Sequence, residues 1–290
     1  MELIGVDIGG SHIAAARVIW NGSFAETTDF YEADVHSLGS AEDLIESWSE
    51  VIRRAIGSSR QVRLGIAMPG PFDYPQGISL IKDQGKMKSL FGLSVKQFLG
   101  KSLDLPEAHI SFTNDAEAFL AGESLSGAGV GLTNLLGLTL GTGLGSAIKI
   151  HDVVKDAKLW TAPFRNGIAE DYLGTGWFRQ TAYQRFGLEI SGAKDLLNPV
   201  LDPGIAAAVF TEFGQTLGEF LVQYLIRLQC DGAVLGGKIS RASAHFLPVT
   251  HRYLEEFQFP VVLKTSILEE KASLIGACLP FIHPSIPVDL

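Results

Sequence analysis

The sequence predicts an α/β protein built from two similar domains, each a mixed sheet with flanking helices. Short apolar runs rich in branched residues, typical of buried strands, alternate with stretches whose apolar residues recur at helical spacing. In addition, a unit of strand, glycine-rich turn and strand occurs twice, at residues 3–20 and at residues 135–150. We expect the two glycine turns to face each other across a cleft and to bind the same phosphates.

The composition is that of a folded chain with an acidic surface. Of the 290 residues, 46% are hydrophobic and 19% are charged, which argues against disorder. The formal net charge of −9 argues against nucleic acid as a partner, because phosphate backbones are bound by basic surfaces. A nucleotide held by backbone amides and Mg²⁺ stays compatible with this charge. Cys230 and Cys278 are too few for a disulfide framework or a four-ligand zinc site, and we expect both to be small buried groups.

The N-terminal residues contain no signal-peptide pattern and run straight into a predicted strand. No apolar run reaches the roughly 18 residues that are needed to cross a bilayer. We therefore expect a cytoplasmic protein without a membrane partner.

The first strand, residues 3–8, leads into Gly9-Gly10-Ser11-His12, and a second strand follows over residues 13–20. Asn21-Gly22 predicts a hairpin that leads to a third, antiparallel strand. Glycines let backbone N–H groups approach an anion closely, and Asp7 could hold Mg²⁺ through water. A plain β-turn is the alternative.

Ser40 and Asp43 form a predicted capping box that opens a helix of about four turns. The next strand, residues 63–68, runs into Pro69-Gly70-Pro71, a stiff loop suited to shaping a pocket wall. Residues 74–90 read as a long surface loop that could close over a substrate. Its three lysines are either part of that closure or simply solvated, and the second reading is the commoner one: Lys82, Lys86 and Lys88.

A strand-like run over residues 109–113 ends at Asn114-Asp115, where helical spacing begins and continues to about Ser126. Ligands of α/β folds collect at the carboxyl ends of strands, so a carboxylate at this junction is a candidate general base. The alternative is that Asn114 and Asp115 only cap the helix. The two glycine turns favour the first interpretation.

The second strand–turn–strand unit consists of a strand over residues 135–140, a turn at residues 141–145 and a strand over residues 146–150. The turn is a candidate phosphate-binding loop, and a plain hairpin is the alternative. Further on, Glu170 or Asp171 could accept hydrogen bonds from hydroxyl groups, or both could simply occupy the first turn of a helix.

The remaining segments predict a long helix, a strand with a glycine pair, another strand and a closing helix. The helix covers residues 203–229 and the strand covers residues 231–235. Gly236-Gly237 then offers bare backbone on which a flat ring such as adenine could rest. A last strand covers residues 261–266, and a closing helix covers residues 269–281.

Five motifs in this order resemble the ROK family of sugar kinases, within the actin/hexokinase/Hsp70 superfamily. They are DIGGS at 7–11, NDAEAFLAGE at 114–123, TLGTGLGSA at 139–147, VLGGKIS at 234–240 and ASLIGA at 272–277. The resemblance implies a two-domain actin-like ATPase fold, related to ribonuclease H, with the active site in the interdomain cleft. It further implies a small domain over residues 1–114, completed by a helix at 269–290, and a large domain over residues 115–268.

The resemblance also implies roles for individual residues. Asp115 would be the catalytic base, and the sugar would be bound by Asn114 and Glu170 together with Pro69 and Gly70 of the pocket wall. The nucleotide would be bound by both glycine turns and by the glycine pair, with Asp7 holding Mg²⁺: Gly9, Gly10, Ser11, His12, Gly141, Thr142, Gly143, Gly236 and Gly237.

The sequence departs from the family pattern in three places. Residues 151–170 contain neither the cysteine cluster of a structural zinc site nor the Glu-x-Gly-His sugar segment. His12 stands where a lysine is usual, and Lys238 stands where a glycine is usual. We therefore expect no zinc, and the identity of the sugar stays open.

These features predict an ATP- and Mg²⁺-dependent kinase that phosphorylates the primary hydroxyl of a hexose, with glucose as the first choice and a homodimer as a possible assembly. The alternatives are N-acetylhexosamine, mannose or fructose as substrate, polyphosphate as phosphoryl donor, and a protein that senses sugar without catalysis. A sugar-responsive repressor is disfavoured, because the first glycine motif begins at residue 7 and leaves no space before it for a DNA-binding segment.

Overall fold

Two five-stranded sheets organise the chain, and each sheet belongs to a different unit of the structure. The computed structural model describes residues 1–82, 86–258 and 261–283. The first unit is Met1–Gly127 together with the C-terminal residues from Glu270, and the second unit is Ala128–Glu269. Each unit has its own hydrophobic core.

The first sheet joins three antiparallel strands to two parallel ones, in the order β3-β2-β1-β4-β7. The strands are β1 (Glu2–Ile8), β2 (His12–Trp20), β3 (Ala25–Asp34), β4 (Val62–Met68) and β7 (Ile110–Asn114), and β5 (Phe72–Asp73) pairs with β6 (Ile78–Ser79) in a separate small hairpin. The hairpin predicted at Asn21-Gly22 is confirmed, because Trp20 pairs with Ala25. The Asn21 side chain accepts hydrogen bonds from the amides of Ser23 and Phe24.

Three helices of the first unit precede the second unit: α1 (Ala41–Ile56), α2 (Val95–Leu103) and α3 (Asp115–Ser126). The predicted capping box is present, since the Ser40 hydroxyl accepts from the Asp43 amide and the Asp43 carboxylate accepts from the Ser40 amide. The apolar face of α1 buries Trp48 completely.

The segment predicted as a long surface loop is partly core. Ile81, Met87 and Leu90 are buried in the first unit, and residues 88–90 form a short 3₁₀ turn. The lysines of this segment are exposed, and residues 83–85 lie outside the described residues. The sequence pattern missed the burial because isolated apolar residues separated by lysines show neither helical nor strand periodicity.

The second sheet repeats the strand order of the first, as β10-β9-β8-β13-β14. Its strands are β8 (Asn134–Leu140), β9 (Leu144–Ile150), β10 (Val153–Asp156), β13 (Gly232–Gly236) and β14 (Val262–Thr265), and β11 (Pro163–Phe164) pairs with β12 (Gly167–Ile168). The repetition confirms that the two units are related in fold. The turn between β8 and β9 is shorter than predicted, because Gly145 pairs with Thr139 and already belongs to β9.

The described part of the second unit contains four α-helices: α4 (Ala169–Leu173), α5 (Thr175–Phe186), α6 (Pro203–Leu228) and α7 (Ser243–Glu256). By length and composition, α6 is the one helix among the described residues that would suffice to cross a membrane. Of the most apolar 18-residue window of α6, 56% is buried inside the structure. Phe210, Phe213 and Phe220 of α6 are fully buried in the second core, as in the central helix of a folded domain.

The C-terminal segment forms two helices instead of the single predicted one, α8 (Lys271–Ala277) and α9 (Leu279–Ile282). The break follows from Pro280, which has no N–H group to donate and is placed in the first turn of α9. Cys278 lies at the break, and both cysteines are unpaired and buried, as predicted.

The backbone of α8 lies directly against the backbone of the first sheet. Gly5 of β1 and Gly65 of β4 are paired neighbours, and a methyl group on either would overlap a carbonyl oxygen of α8, that of Leu274 or Ala277. Gly276 makes the same kind of contact with α3, where a methyl group would overlap the Ala118 oxygen. The contacts therefore place α3 in the first unit, whereas the predicted boundary at residues 114/115 placed it in the second.

We predict that Gly276→Ala lowers the free energy of unfolding by about 1–3 kcal/mol or more, because the added methyl would force the backbones of α8 and α3 apart. Gly176→Ala in α5 is the matched control, since nothing lies within 4 Å of a methyl group there. We expect the control to be neutral or to gain up to about 1 kcal/mol. Thermal and urea unfolding of both variants measure the effect, and equal stabilities would contradict the proposed packing.

Candidate active site

The carboxyl ends of β1, β4 and β7 lie side by side at one edge of the first sheet. Asp7 pairs with Ala67, and Ala67 pairs in turn with Thr113. The sheet therefore brings together Asp7, the Pro69-Gly70 loop and the Asn114-Asp115 junction, three features that the sequence predicts to be functional. Asp115 directly follows the carboxyl end of β7, as predicted, and such strand ends are where ligands of α/β folds collect.

At this edge Asp7 lies within electrostatic range of two other carboxylates and is hydrogen-bonded to one hydroxyl group. The pKa of Asp7 is raised to about 7, chiefly by burial, and further by the negative charges of Asp115 and Glu270. The Ser273 hydroxyl donates a hydrogen bond to Asp7 and opposes the rise. Glu270 and Ser273 come from the start of α8, and sequence analysis did not single them out, because the local pattern there indicated only a packing helix.

Asn114 caps α3, so the capping interpretation is correct for this residue. Its side-chain oxygen accepts hydrogen bonds from the amides of Ala116 (2.9 Å) and Glu117 (3.2 Å). Its amide nitrogen donates to the Tyr74 hydroxyl at 3.1 Å, and that hydroxyl donates to the Met68 carbonyl. Tyr74 thereby ties the end of β7 to the end of β4, and Asp115 follows as the first residue of α3.

The Pro69-Gly70 loop is partly buried beside this bridge. A methyl group on Gly70 would lie 3.3 Å from the Tyr74 hydroxyl oxygen, so the loop passes close to the side chain that orients Asn114. The sequence suggested a pocket wall at this place but gave no sign of Tyr74, which it assigned to the following loop.

The first glycine turn is held by backbone hydrogen bonds at both ends. The Gly9 amide donates to the His12 carbonyl at 2.9 Å, and the Ser11 carbonyl accepts from the Val35 amide at 2.9 Å. Side chains pass over both glycines: a methyl group on Gly9 would lie 2.9 Å from His12 Cε1, and one on Gly10 would lie 2.7 Å from Lys86 Nζ. Neither glycine has a positive φ angle, and the atoms nearest to such a methyl group belong to the His12 and Lys86 side chains.

In the second unit, the turn Gly141-Thr142-Gly143 is anchored by two later segments. The Gly141 carbonyl accepts hydrogen bonds from both the amide (2.9 Å) and the hydroxyl (2.8 Å) of Thr175. The Glu170 carboxylate accepts from the Leu144 amide at 2.9 Å, and a methyl group on Gly143 would overlap it. Thr175 has no signal in the sequence, because the contact joins residues far apart in the chain.

Glu170 and Asp171 both lie in the first turn of α4, as one of the two interpretations predicted. Asp171 accepts a hydrogen bond from the Ile168 amide at 3.0 Å, which is a capping role. Glu170 differs, since its carboxylate reaches the second glycine turn.

The glycine pair lies directly beside that turn. Gly237 has a φ of +84°, which favours glycine, and a methyl group there would lie 2.8 Å from the backbone nitrogen of Leu140. The Ile239 amide donates to the Leu140 carbonyl. Gly236 and Gly237 therefore border the residue that precedes Gly141, so three predicted nucleotide contacts of the second unit adjoin one another.

Among the described residues, no group of three or more histidine, cysteine, aspartate or glutamate side chains is arranged to hold a metal ion. Mg²⁺ is compatible with this finding, because it commonly binds through one or two carboxylates together with water and substrate phosphates. Asp7 offers such a carboxylate, and its crowding with Asp115 and Glu270 would be relieved by a cation.

Comparison with known proteins decides the family. A sequence model described as the ROK family matches residues 3–160, more than half of the chain. The chain belongs to the ROK family. The resemblance of its five motifs is therefore confirmed.

Curated relatives of this ROK chain include kinases of different sugars. The chain is 28% identical over 151 residues to a glucokinase of Thermotoga maritima, a match that covers 52% of the chain and 45% of that enzyme. It is 27% identical to a beta-glucoside kinase of Klebsiella pneumoniae over 97% of the chain and 96% of that enzyme. The chain thus spans less than half of the first relative and nearly all of the second.

A solved structure of a ROK family glucokinase from Streptomyces griseus, in complex with glucose and AMPPNP, has the same two-domain fold. The TM-score is 0.76 at 22% identity, with 96% of this chain and 98% of that chain covered. The predicted fold class is confirmed. At the level that the comparisons support, the chain is a member of the ROK sugar kinases, which are phosphotransferases.

We predict that Asp7→Asn stabilises the free protein at pH 8 and not at pH 4. The folded-state pKa of about 7 lies above the ordinary value of 3.8, so the folded state binds the proton more tightly, and Asp7 weakens stability as the pH rises between these values. The variant should gain on the order of 1–4 kcal/mol at pH 8. Urea unfolding without nucleotide or metal measures this difference in the free energy of unfolding. Asp34→Asn, on the exposed end of β3, is the control. A difference between variant and wild type that stays constant from pH 4 to pH 8 would contradict the assignment.

Proposed function

We propose that this ROK protein transfers the γ-phosphoryl group of ATP to the primary hydroxyl of a hexose in a Mg²⁺-dependent reaction, with glucose as the first candidate substrate. One observation carries the proposal: β1 and β7 end at the same edge of the first sheet, which also bears the first glycine turn, and Asp115 is close enough to Asp7 to raise its pKa. Family membership and the names of the relatives support the same reaction. A cytoplasmic location and a possible homodimer stay part of the proposal.

Asp115 is proposed as the general base. Its carboxylate oxygen accepts a hydrogen bond from the Ala116 amide at 2.9 Å, which fixes the side chain at the start of α3. In the reaction, the carboxylate takes the proton of the sugar hydroxyl while the hydroxyl oxygen forms its bond to the γ-phosphorus. The bond from the γ-phosphorus to the bridging oxygen breaks, and ADP leaves. Such phosphoryl transfer requires alignment and charge neutralisation more than covalent chemistry.

Asp7 is proposed to hold the metal through a water molecule, with the Ser273 hydroxyl orienting its carboxylate. When bound, Mg²⁺ supplies positive charge that offsets the charge of the phosphate oxygens. The residues at this edge fit such an ion, because their donor atoms are the hard oxygen ligands that it prefers.

The nucleotide contacts are proposed to come from backbone that is exposed or partly exposed, except at the buried Gly236. Gly9-Gly10-Ser11 and the adjoining His12 would bind phosphate oxygens in the first unit. In the second unit, Gly141-Thr142-Gly143 would also bind phosphate, and Gly236-Gly237 would support the adenosine. Thr175 and Glu170 are bonded to the Gly141–Leu144 segment, so its amides are held in place before a ligand arrives.

Sugar binding is proposed for Asn114, Glu170, Pro69 and Gly70. The amide of Asn114 has two N–H donors, and the described structure uses one for Tyr74, which leaves the other for a sugar hydroxyl. For Glu170, one carboxylate oxygen holds the Leu144 amide, and the second is the proposed sugar contact.

A β-glucoside is the second candidate substrate, because a beta-glucoside kinase matches along nearly the whole chain whereas the glucokinase matches along half of it. The other candidate substrates are N-acetylhexosamine, mannose and fructose, and polyphosphate is the alternative phosphoryl donor. A coupled ADP-release assay across these sugars and a β-glucoside distinguishes the acceptors, and phosphorylated-product detection with polyphosphate tests the donor. Hexose binding in calorimetry without turnover of any donor would instead indicate a non-catalytic sensor.

We predict that Asp115→Asn lowers kcat by roughly 10²–10⁴ on the best sugar, because the amide cannot accept the hydroxyl proton. Steady-state kinetics measure the loss, and unchanged affinity for the sugar in calorimetry would show that the fold and the binding site survive. Asp34→Asn serves as the control and should keep wild-type kcat. A turnover of Asp115→Asn equal to that of wild type would exclude Asp115 as the base.

We further predict that Glu170→Gln raises the KM for ATP by about 3- to 10-fold and also raises the KM for the sugar. A hydrogen bond to a charged carboxylate is stronger than one to a neutral amide by about 1 kcal/mol, so the second glycine turn is held less firmly. Initial rates with each substrate varied in turn separate the two constants. If only the KM for the sugar rises, the contact with Leu144 has no role in nucleotide binding.

A further inference from the structure

We infer that Lys86 binds the phosphates of the nucleotide at the first glycine turn, an assignment that rests on the kinase reaction proposed above. Lys86 lies outside the family motifs, in the segment between β6 and α2 that the sequence presented as a loop with solvated lysines.

The Lys86 side chain passes directly over Gly10. A methyl group on Gly10 would overlap Lys86 Cδ and would lie 2.7 Å from Nζ and 2.8 Å from Cε. The absence of a side chain at residue 10 thus provides the space through which the ammonium group reaches the turn. A phosphate bound by the turn would be within reach of this group, which has three N–H donors.

Residue 86 is fixed at this place by its neighbour. Met87 is completely buried, and its amide donates a hydrogen bond to the Ser37 carbonyl at 2.7 Å. The segment that contains Ser37 is in turn joined to the glycine turn, because the Val35 amide donates to the Ser11 carbonyl. Lys86 itself is exposed, so its ammonium group stays accessible to a ligand while its backbone is held.

The charge balance at this edge favours a cation. Asp7 and Asp115 lie at strand ends of this edge and Glu270 lies at the start of α8, and their carboxylates would repel a triphosphate. Within the described part of the chain, Lys86 forms no ion pair. An ammonium group that is not already neutralised, placed beside the turn, would offset part of this repulsion and contact phosphate oxygens through charged hydrogen bonds.

The two neighbouring lysines provide a comparison. Lys82 Nζ lies 5.9 Å from the centre of the Phe91 ring, and Lys88 is exposed in the 3₁₀ turn. Lys86 is therefore the lysine of this trio for which the structure gives a contact with the glycine turn.

The test compares Lys86→Met, Lys86→Arg and the control Lys88→Met in the full chain. Calorimetry with ATP, ADP and adenosine, each with Mg²⁺ and without sugar, measures nucleotide affinity directly. We expect Lys86→Met to weaken ATP and ADP binding by roughly 10- to 100-fold, to leave adenosine binding unchanged, and to raise the KM for ATP correspondingly. Lys86→Arg should recover part of the loss, and Lys88→Met should equal wild type.

Three results would overturn the assignment. They are unchanged ATP affinity in Lys86→Met, an equal loss for ATP and adenosine, and a loss confined to sugar binding. The side chain is exposed, so the melting temperature of each variant should match that of wild type. If wild type binds ATP but phosphorylates no sugar, the proposed reaction is wrong. The role of Lys86 is still decided in that case, by whether Lys86→Met loses affinity for ATP but not for adenosine.

Discussion

The contact of α8 with β1 and β4 is the constraint on which the first-unit site depends. Gly5 and Gly65, neighbours across two parallel strands, leave no side chain between the sheet and the α8 backbone. A helix packed on ordinary side chains lies about 10 Å from a sheet or another helix, whereas here carbonyl oxygens approach the glycines directly. This closeness brings Ser273 and Glu270 to Asp7. The proposed catalytic edge is therefore assembled by the two ends of the first unit's sequence.

The same closeness has an electrostatic cost. Partial burial between helix and sheet disfavours the charged form of Asp7, and the charges of two other carboxylates add repulsion, so its pKa rises to about 7. Acidic groups crowded in this way are costly to folding and are typical of functional sites. In the proposed reaction, the cost is offset by cations on two sides: Mg²⁺ at the Asp7 carboxylate and the Lys86 ammonium group at Gly10. The free protein is then less stable than its complex with metal and nucleotide.

Local chemistry made much of this fold predictable from the sequence, and contacts between distant residues made the rest inaccessible. The hairpin at Asn21-Gly22, the capping box of Ser40 and the strand end before Asp115 each depend on a few adjacent residues. Thr175 at Gly141 and Lys86 at Gly10 depend on chain segments separated by many residues. No periodicity or motif indicates such contacts. Asn114, for which capping was one of two interpretations, shares its side chain between capping α3 and bonding to Tyr74.

The two glycine turns occupy equivalent places in two sheets of equal strand order, yet their surroundings differ in charge. The first turn has a lysine and a histidine side chain over its glycines, and the second has the Glu170 carboxylate bonded to its amide at Leu144. In the proposed reaction, the γ-phosphoryl group, which carries the most charge in ATP, would bind at the first turn, where the Lys86 ammonium group and Mg²⁺ would offset the charges of Asp7 and Asp115. Duplicated topology therefore supplies two similar backbone turns, and the side chains that reach them from elsewhere give each turn a different role.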